Sequence, residues 1–91
     1  MKGEDISDRL VEFSVRIIRL ANSLPKNAVG KHISNQLLRS GTSPGANYEE
    51  ARGAESSADF THKLRVVLKE LRESLYWLKV LKRQNCCLQR N

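Results

Sequence analysis

The last third of the chain carries a long, strictly spaced apolar stripe, which constrains the fold more than any other feature. Seven residues recur there at steps of four and three: Phe60, Leu64, Val67, Leu71, Ser74, Leu78 and Leu81. That spacing places them on one face of an α-helix. We predict a helix over residues 57–83, which would be about 40 Å long at the usual rise per residue.

Two further helices are predicted before it. The first, over residues 7–23, presents an apolar seam at the same steps: Ile6, Leu10, Phe13, Ile17, Leu20 and Leu24. Pro25 marks the break, and the second helix is predicted over residues 28–52. At about 26 Å, the first helix is too short to cover the third. Apolar surface is therefore left over for another chain.

The stretch from Ser40 to Asn47 allows two interpretations. It is made of small residues around Pro44, and because proline removes a backbone donor, local propensity favours a turn. The alternative is a helix kinked near Pro44, whose small residues let a neighbouring backbone come close.

Polar residues share one side of the second helix through this stretch: Gln36, Ser40, Ser43 and Asn47. A buried asparagine needs hydrogen-bond partners, and the other three side chains can supply them. We predict a structural polar network that fixes the register of the helices, and the alternative is a ligand site.

Size and composition indicate a single domain, residues 1–91, of the all-α class. The chain has 40% hydrophobic residues, 5 Gly and 2 Pro, which suits a water-soluble helical bundle. No apolar run approaches the roughly 20 residues of a membrane span, and the first residues lack the apolar core of a signal peptide. We expect a cytoplasmic protein without membrane contact, in which the adjacent Cys86 and Cys87 are reduced thiols.

The net charge of +6 is carried entirely by the residues from Phe60 onward. Helical spacing puts five bases and one aromatic residue on a common face, the basic face: Arg65, Lys69, Arg72, Tyr76, Lys79 and Arg83. Such a face can lie along a phosphate backbone while Tyr76 stacks on a base. RNA or DNA is thus a candidate partner. A solvated bundle face is the alternative, and an acidic protein partner is also compatible with the charge.

Aromatic residues are scarce, and two of them are adjacent. Because aromatic side chains are enriched at subunit contacts, we assign Tyr76, Trp77 and Val80 to a candidate interface between copies of the chain.

Catalytic motifs are absent from the sequence: it has no phosphate loop, nucleotide fingerprint or nucleophile elbow. Acids cluster near the junction of the second and third helices: Glu49, Glu50, Glu55 and Asp59. His32 and His62 do not have the spacing of the two-histidine zinc motif. We therefore predict no enzyme, metal, cofactor or small-molecule substrate, and these acids become candidates for contacting the basic end of a neighbouring subunit.

The run from Gln36 to Ala51 resembles the signature of a known family, the 23S rRNA intervening sequence proteins, which are four-helix bundles. Further similar elements follow it: Ala54-Glu55-Ser56, Asp59-Phe60, Lys63-Leu64, Leu68-Lys69-Glu70 and Leu75-Tyr76-Trp77-Leu78. The resemblance extends from about Phe13 to Leu81. It implies an up-and-down antiparallel bundle in which the stretch around Pro44 is helical, and it implies assembly as a homopentamer. Nucleic-acid affinity is known in some relatives.

One departure from the family concerns its fourth helix. Only Gln84–Asn91 follows the third helix, which leaves three long helices with a short C-terminal remnant of a fourth. Taken together, we expect a non-enzymatic, self-assembling scaffold or adaptor that binds RNA or DNA through the basic face. The alternative is a protein-binding regulatory module with no nucleic-acid role.

Overall fold

A computed structural model describes residues 2–84 and contains three α-helices in this range: α1 (Lys2–Ser23), α2 (Ala28–Arg52) and α3 (Ser57–Gln84). α1 starts at Lys2 rather than at the predicted residue 7. Its first turn holds Glu4 and Asp5, which suit the positive end of the helix dipole. The predicted remnant of a fourth helix and both cysteines lie beyond Gln84, outside the described residues.

The three helices run up and down, with α2 between the other two. Along α1, Ser7 contacts Glu49 and Ser14 contacts Gly41, while Ser34 contacts Ala21, so α1 and α2 are antiparallel. The contacts between α2 and α3 also join later residues of one helix to earlier residues of the other, so these two helices are antiparallel as well. Backbone neighbours join α2 to α1 and to α3 but do not join α1 to α3 directly within residues 2–84. The predicted all-α helical bundle is confirmed.

Two apolar clusters fill the space where the three helices meet. One is centred on Leu37, with these buried neighbours: Ile17, Leu24, Ile33 and Leu81. The other joins Leu10, Tyr48 and Val67, one from each helix. α1 and α3 therefore meet through side chains on the α2 surface, and Leu37 is the fully buried centre of the larger cluster.

α2 continues as a helix through Pro44, so the turn interpretation of residues 40–47 is wrong. Local propensity misleads here because tertiary packing decides: Ser40, Gly41 and Pro44 are all buried between α1 and α3. The Ser43 hydroxyl next to the proline bonds to the backbone of its own helix: Ser43 Oγ donates to the Arg39 carbonyl oxygen at 2.6 Å. The small residues thus permit close approach of the neighbouring helices.

Each connection ends in a side-chain cap. Asn27 Oδ1 accepts a hydrogen bond from the Gly30 backbone N–H at 2.8 Å and begins α2. Ser56 Oγ accepts one from the Asp59 backbone N–H at 3.1 Å and begins α3. Both caps satisfy backbone donors that a helix start otherwise leaves unpaired.

Candidate nucleic-acid interface

The six residues of the basic face form two columns along α3, with a spacing of seven residues in each. Arg65, Arg72 and Lys79 make the outer column, and Lys69, Tyr76 and Arg83 make the inner column. All six are exposed, on the side of α3 opposite its buried residues Val67, Ser74 and Leu81. Seven residues of helix rise about 10.5 Å, so each column spans about 21 Å.

The two acids within the length of the basic face lie on the side of α3 that faces α2. Glu70 is buried, and its Oε1 accepts a hydrogen bond from Arg39 Nη1 at 3.2 Å. Glu73 is half-buried and accepts a hydrogen bond from Arg39 Nη2. Because one guanidinium from α2 binds both carboxylates, they face α2, and of the five bases of the basic face only Lys69 pairs with either of them within residues 2–84.

Most bases of the two columns have no acidic partner within residues 2–84. Lys69 Nζ lies 3.7 Å from Glu70 Oε2, whereas Arg65, Arg72, Lys79 and Arg83 are in no ion pair in this part of the chain. Arg65, Lys69 and Arg72 surround a shallow open recess together with Leu68. The outer column is therefore a row of uncompensated positive charge.

Two adjacent aromatic side chains pack together on α3: Tyr76 in the inner column and Trp77 beside it. Tyr76 is 58% exposed and packs edge-on against Trp77, with ring centroids 5.0 Å apart. Trp77 also packs edge-on against His32, with ring centroids 5.7 Å apart, and its Nε1 donates to Glu73 Oε2 at 3.3 Å. We define the aromatic patch as Tyr76, Trp77 and the half-buried Val80.

Three of the four polar residues assigned to α2 make hydrogen bonds, each with a different kind of partner. Ser40 is fully buried and accepts a hydrogen bond from Ser74 Oγ at 3.0 Å, which joins α2 to α3. Gln36 accepts from Arg39 Nη2, and Ser43 bonds within its own helix. In the described part of the chain, no hydrogen bond joins the four side chains to one another. That these residues fix the register of the helices stays a prediction. The contact relevant to it is the Ser40–Ser74 bond, which joins α2 to α3.

Three of the four acids near the α2–α3 junction pair with bases of the same chain. Lys63 Nζ lies 3.5 Å from Glu50 Oε1 and 4.0 Å from Asp59 Oδ1, and Glu49 pairs with Arg52. Among residues 2–84, no three histidine, cysteine or acidic side chains converge as metal ligands would. No helix in the same range is long and apolar enough to cross a bilayer.

The ion pair of Arg39 with Glu73 leads to a prediction of how the stability of the fold depends on pH. The hydrogen bond from Arg39 lowers the pKa of Glu73, and the bond from Trp77 acts in the same direction. A carboxyl with a lowered native pKa stabilises the fold above its unfolded pKa, and that contribution is lost as the pH falls through the native value. We expect Arg39→Met to lower the melting temperature at pH 7, by an amount that shrinks progressively below pH 4.

Thermal unfolding by circular dichroism at pH 7 and at pH 3 measures this effect. Arg9→Met is the matched control, because Arg9 is exposed and in no ion pair within the described residues. An Arg39→Met deficit that is equal at both pH values would show that the guanidinium acts through packing rather than charge.

Sequence reasoning missed two side chains that organise this surface. Arg39 on α2 lies opposite Glu70 and Glu73 and pairs with both carboxylates. His32 was considered only as a metal ligand, and it packs on Trp77 instead. The sequence does carry one signal for the Arg39 contact: Glu70 and Glu73 are three residues apart on α3, so that one cation can bind both.

Comparison with known proteins places the chain in a family. The family model described as "23S rRNA-intervening sequence protein" matches residues 4–91. A search of curated proteins finds no match.

A solved structure with the same fold is a protein of unknown function from the S23 ribosomal protein family of Bacteroides thetaiotaomicron, determined at 1.70 Å. It is 46% identical, with a TM-score of 0.84, and the match covers 92% of this chain and 75% of that one. Nothing in the description of the family or of this neighbour points to catalysis. The chain belongs to the 23S rRNA-intervening sequence protein family.

Proposed function

We propose that the protein is a non-enzymatic, self-assembling scaffold or adaptor that holds RNA or DNA along the outer column of α3. The observation that supports this most is the separation of charge on α3. Glu70 and Glu73 are bound by Arg39 on the α2 side, while Arg65, Arg72 and Lys79 are exposed to solvent. Phosphate groups are the anions that such a row of bases binds in a nucleic acid.

Exposed apolar side chains support the self-assembly part of the proposal. Several large hydrophobic residues lie in solvent on the single chain: Ile6, Val11, Ile18, Val29, Phe60, Leu68, Leu75 and Tyr76. Scattered exposed apolar residues are ordinary, but contiguous groups of them mark interaction sites. The family resemblance implies five copies, and a ring of copies would repeat the outer column around its circumference.

Charge reversal at the outer column tests nucleic-acid binding. The variant Arg65→Glu, Arg72→Glu, Lys79→Glu changes the net charge from +6 to zero. We expect wild type to bind a fluorescent single-stranded RNA or DNA with an affinity that falls as salt rises. We expect the variant to bind at least about tenfold more weakly at low salt, with a shallower salt dependence, because each lost phosphate contact lowers the slope by about one.

The control variant Arg9→Glu, Lys26→Glu, Lys31→Glu changes the net charge by the same amount on α1, its connection and α2. It should keep most of the affinity if the outer column is the site. Equal weakening by both variants would indicate binding to net charge alone. Unchanged binding by the α3 variant would overturn the outer column as the site, whereas no binding by wild type at low salt would overturn the nucleic-acid role and favour a protein-binding regulatory module.

A further inference from the structure

The outer column of α3 has exposed apolar or aromatic side chains on both of its sides. Residues three and four positions apart are neighbours on a helix surface, and the two kinds of neighbour lie on opposite sides of the residue they flank. Leu68 and Leu75 each follow an arginine of the outer column by three positions, whereas Tyr76 follows Arg72 by four. Leu68 is 58% exposed, Leu75 is 51% exposed and Tyr76 is 58% exposed. The column therefore stands between an aliphatic border and an aromatic border.

The aliphatic border is combined with a concentration of positive charge. Leu68 lines a shallow open recess together with Arg65, Lys69 and Arg72. A group that covered Leu68 would therefore have three cations around it. A nucleotide combines the apolar face of a nucleobase with a charged phosphate, so it matches both parts of this recess.

The aromatic border is held in position by its neighbours. Tyr76 packs edge-on against Trp77, with ring centroids 5.0 Å apart and an angle of 75° between the rings. Trp77 is fixed in turn by the hydrogen bond from its Nε1 to Glu73 Oε2 at 3.3 Å. Because the Tyr76 ring is supported and still exposed, little side-chain entropy is lost when a nucleobase stacks on it.

Single-stranded and duplex nucleic acids present different groups to such a surface. In a duplex the nucleobases are stacked inside, and a helix lying along the backbone meets phosphates and sugars. In a single strand the nucleobases are free to turn onto aromatic and apolar side chains while the phosphates contact cations. Three exposed apolar or aromatic side chains beside the outer column therefore favour the single strand.

Charge alone predicts the opposite preference. A duplex carries one negative charge for about every 1.7 Å of its length, which is denser than the charge of one strand. A purely electrostatic site would therefore bind the duplex more tightly. A preference for the single strand can come only from contacts with the nucleobases, so a comparison of the two forms separates these contacts from charge.

We infer that the outer column binds unpaired stretches of RNA or DNA in preference to a duplex, with nucleobases turned onto Leu68, Leu75 and Tyr76. The inference rests on the proposed nucleic-acid role and names the form of nucleic acid that this site binds. The phosphates lie along the outer column, between the two borders. The other exposed large apolar residues lie on α1, on α2 and in the first turn of α3, where they remain available for contacts between copies.

Competition between a strand and its own duplex tests the inference. A labelled single strand of mixed sequence is displaced either by the unlabelled strand or by the same strand annealed to its complement, and fluorescence anisotropy gives both affinities at one low salt concentration. RNA and DNA strands are measured separately. We expect wild type to bind the single strand at least about tenfold more tightly than the duplex, because stacking on an aromatic side chain contributes about this factor for each nucleobase.

Uncharged substitutions separate the borders from the column. The variant Leu68→Ala, Tyr76→Ala removes one side chain from each border and leaves the net charge at +6. We expect it to bind the single strand about tenfold more weakly than wild type does and to bind the duplex unchanged. Tyr76→Phe keeps the ring and should keep the preference. The matched control is Val11→Ala, Val29→Ala, at positions that are 58% and 63% exposed on α1 and α2, and it should bind both forms as wild type does.

The inference would be overturned, with the nucleic-acid role intact, if wild type bound the duplex as tightly as the single strand or if the Leu68→Ala, Tyr76→Ala variant kept the preference. A lower mass of this variant by light scattering would place the two side chains at the contact between copies and would also overturn the inference. If wild type bound neither form at low salt, the proposed nucleic-acid role itself would fall, and the inference with it.

Discussion

Leu37→Ala is expected to lower the free energy of unfolding by about 2–5 kcal/mol, the range for large-to-small changes at buried leucines. Leu37 has no exposed surface and lies at the centre of the cluster that joins all three helices. Truncation there leaves a cavity that Ile17, Ile33 and Leu81 would have to fill from three different helices. Since small domains have little stability to spare, a loss of this size would remove a large part of the free energy that keeps the protein folded.

Urea denaturation followed by circular dichroism measures the change, at one fixed protein concentration because assembly adds to apparent stability. Leu68→Ala is the matched control: it removes the same atoms from a side chain that is 58% exposed, and we expect little change. A Leu37→Ala loss below about 1 kcal/mol would mean that the described core is wrongly packed.

Gly41→Ala is expected to destabilise the fold by about 1–3 kcal/mol, although alanine is the better helix former. A Cβ at Gly41 would lie 2.7 Å from both Cγ atoms of Ile17. Ile17 is buried, and these atoms are close to its own backbone, so they cannot swing away. α1 and α2 would have to separate at the point where Ser14 Oγ donates to the Gly41 carbonyl oxygen.

Gly45→Ala makes the same change one turn later in α2 and should have the opposite sign. A Cβ there would meet Leu10 Cβ at 3.6 Å, an ordinary contact, so helix propensity should raise stability by up to about 1 kcal/mol. We expect the melting temperature of Gly41→Ala to lie below that of wild type and the melting temperature of Gly45→Ala to lie above it. Stabilisation by both substitutions would show that α1 does not approach α2 closely at Gly41.

The sequence allowed the helices to be predicted because apolar spacing is a strong local signal. The seven-residue repeat from Phe60 to Leu81 and the apolar seam of α1 both depend on positions close together in the chain. The stretch around Pro44 is different. Propensity indicated a turn, and only the packing of Gly41 against Ile17 and of Ser40 against Ser74 explains the helix. The family resemblance supplied the correct interpretation where local physics did not.

The candidate site was predictable in part for a related reason. Columns of exposed bases follow from helical spacing alone, so Arg65, Arg72 and Lys79 could be placed together from the sequence. The contact of Arg39 with Glu70 and Glu73 joins residues more than thirty positions apart and depends on the register of α2 against α3. A single sequence carries no direct signal for that register.

The central claim is that one copy of this chain leaves more apolar surface in solvent than a stable monomer would, and that other copies cover it. Multi-angle light scattering of the wild-type chain at micromolar concentration tests this most directly. We predict a single species with a mass several times 10.4 kDa, and five times that mass by the family resemblance. A sharp species of 10.4 kDa at the same concentration would contradict the account.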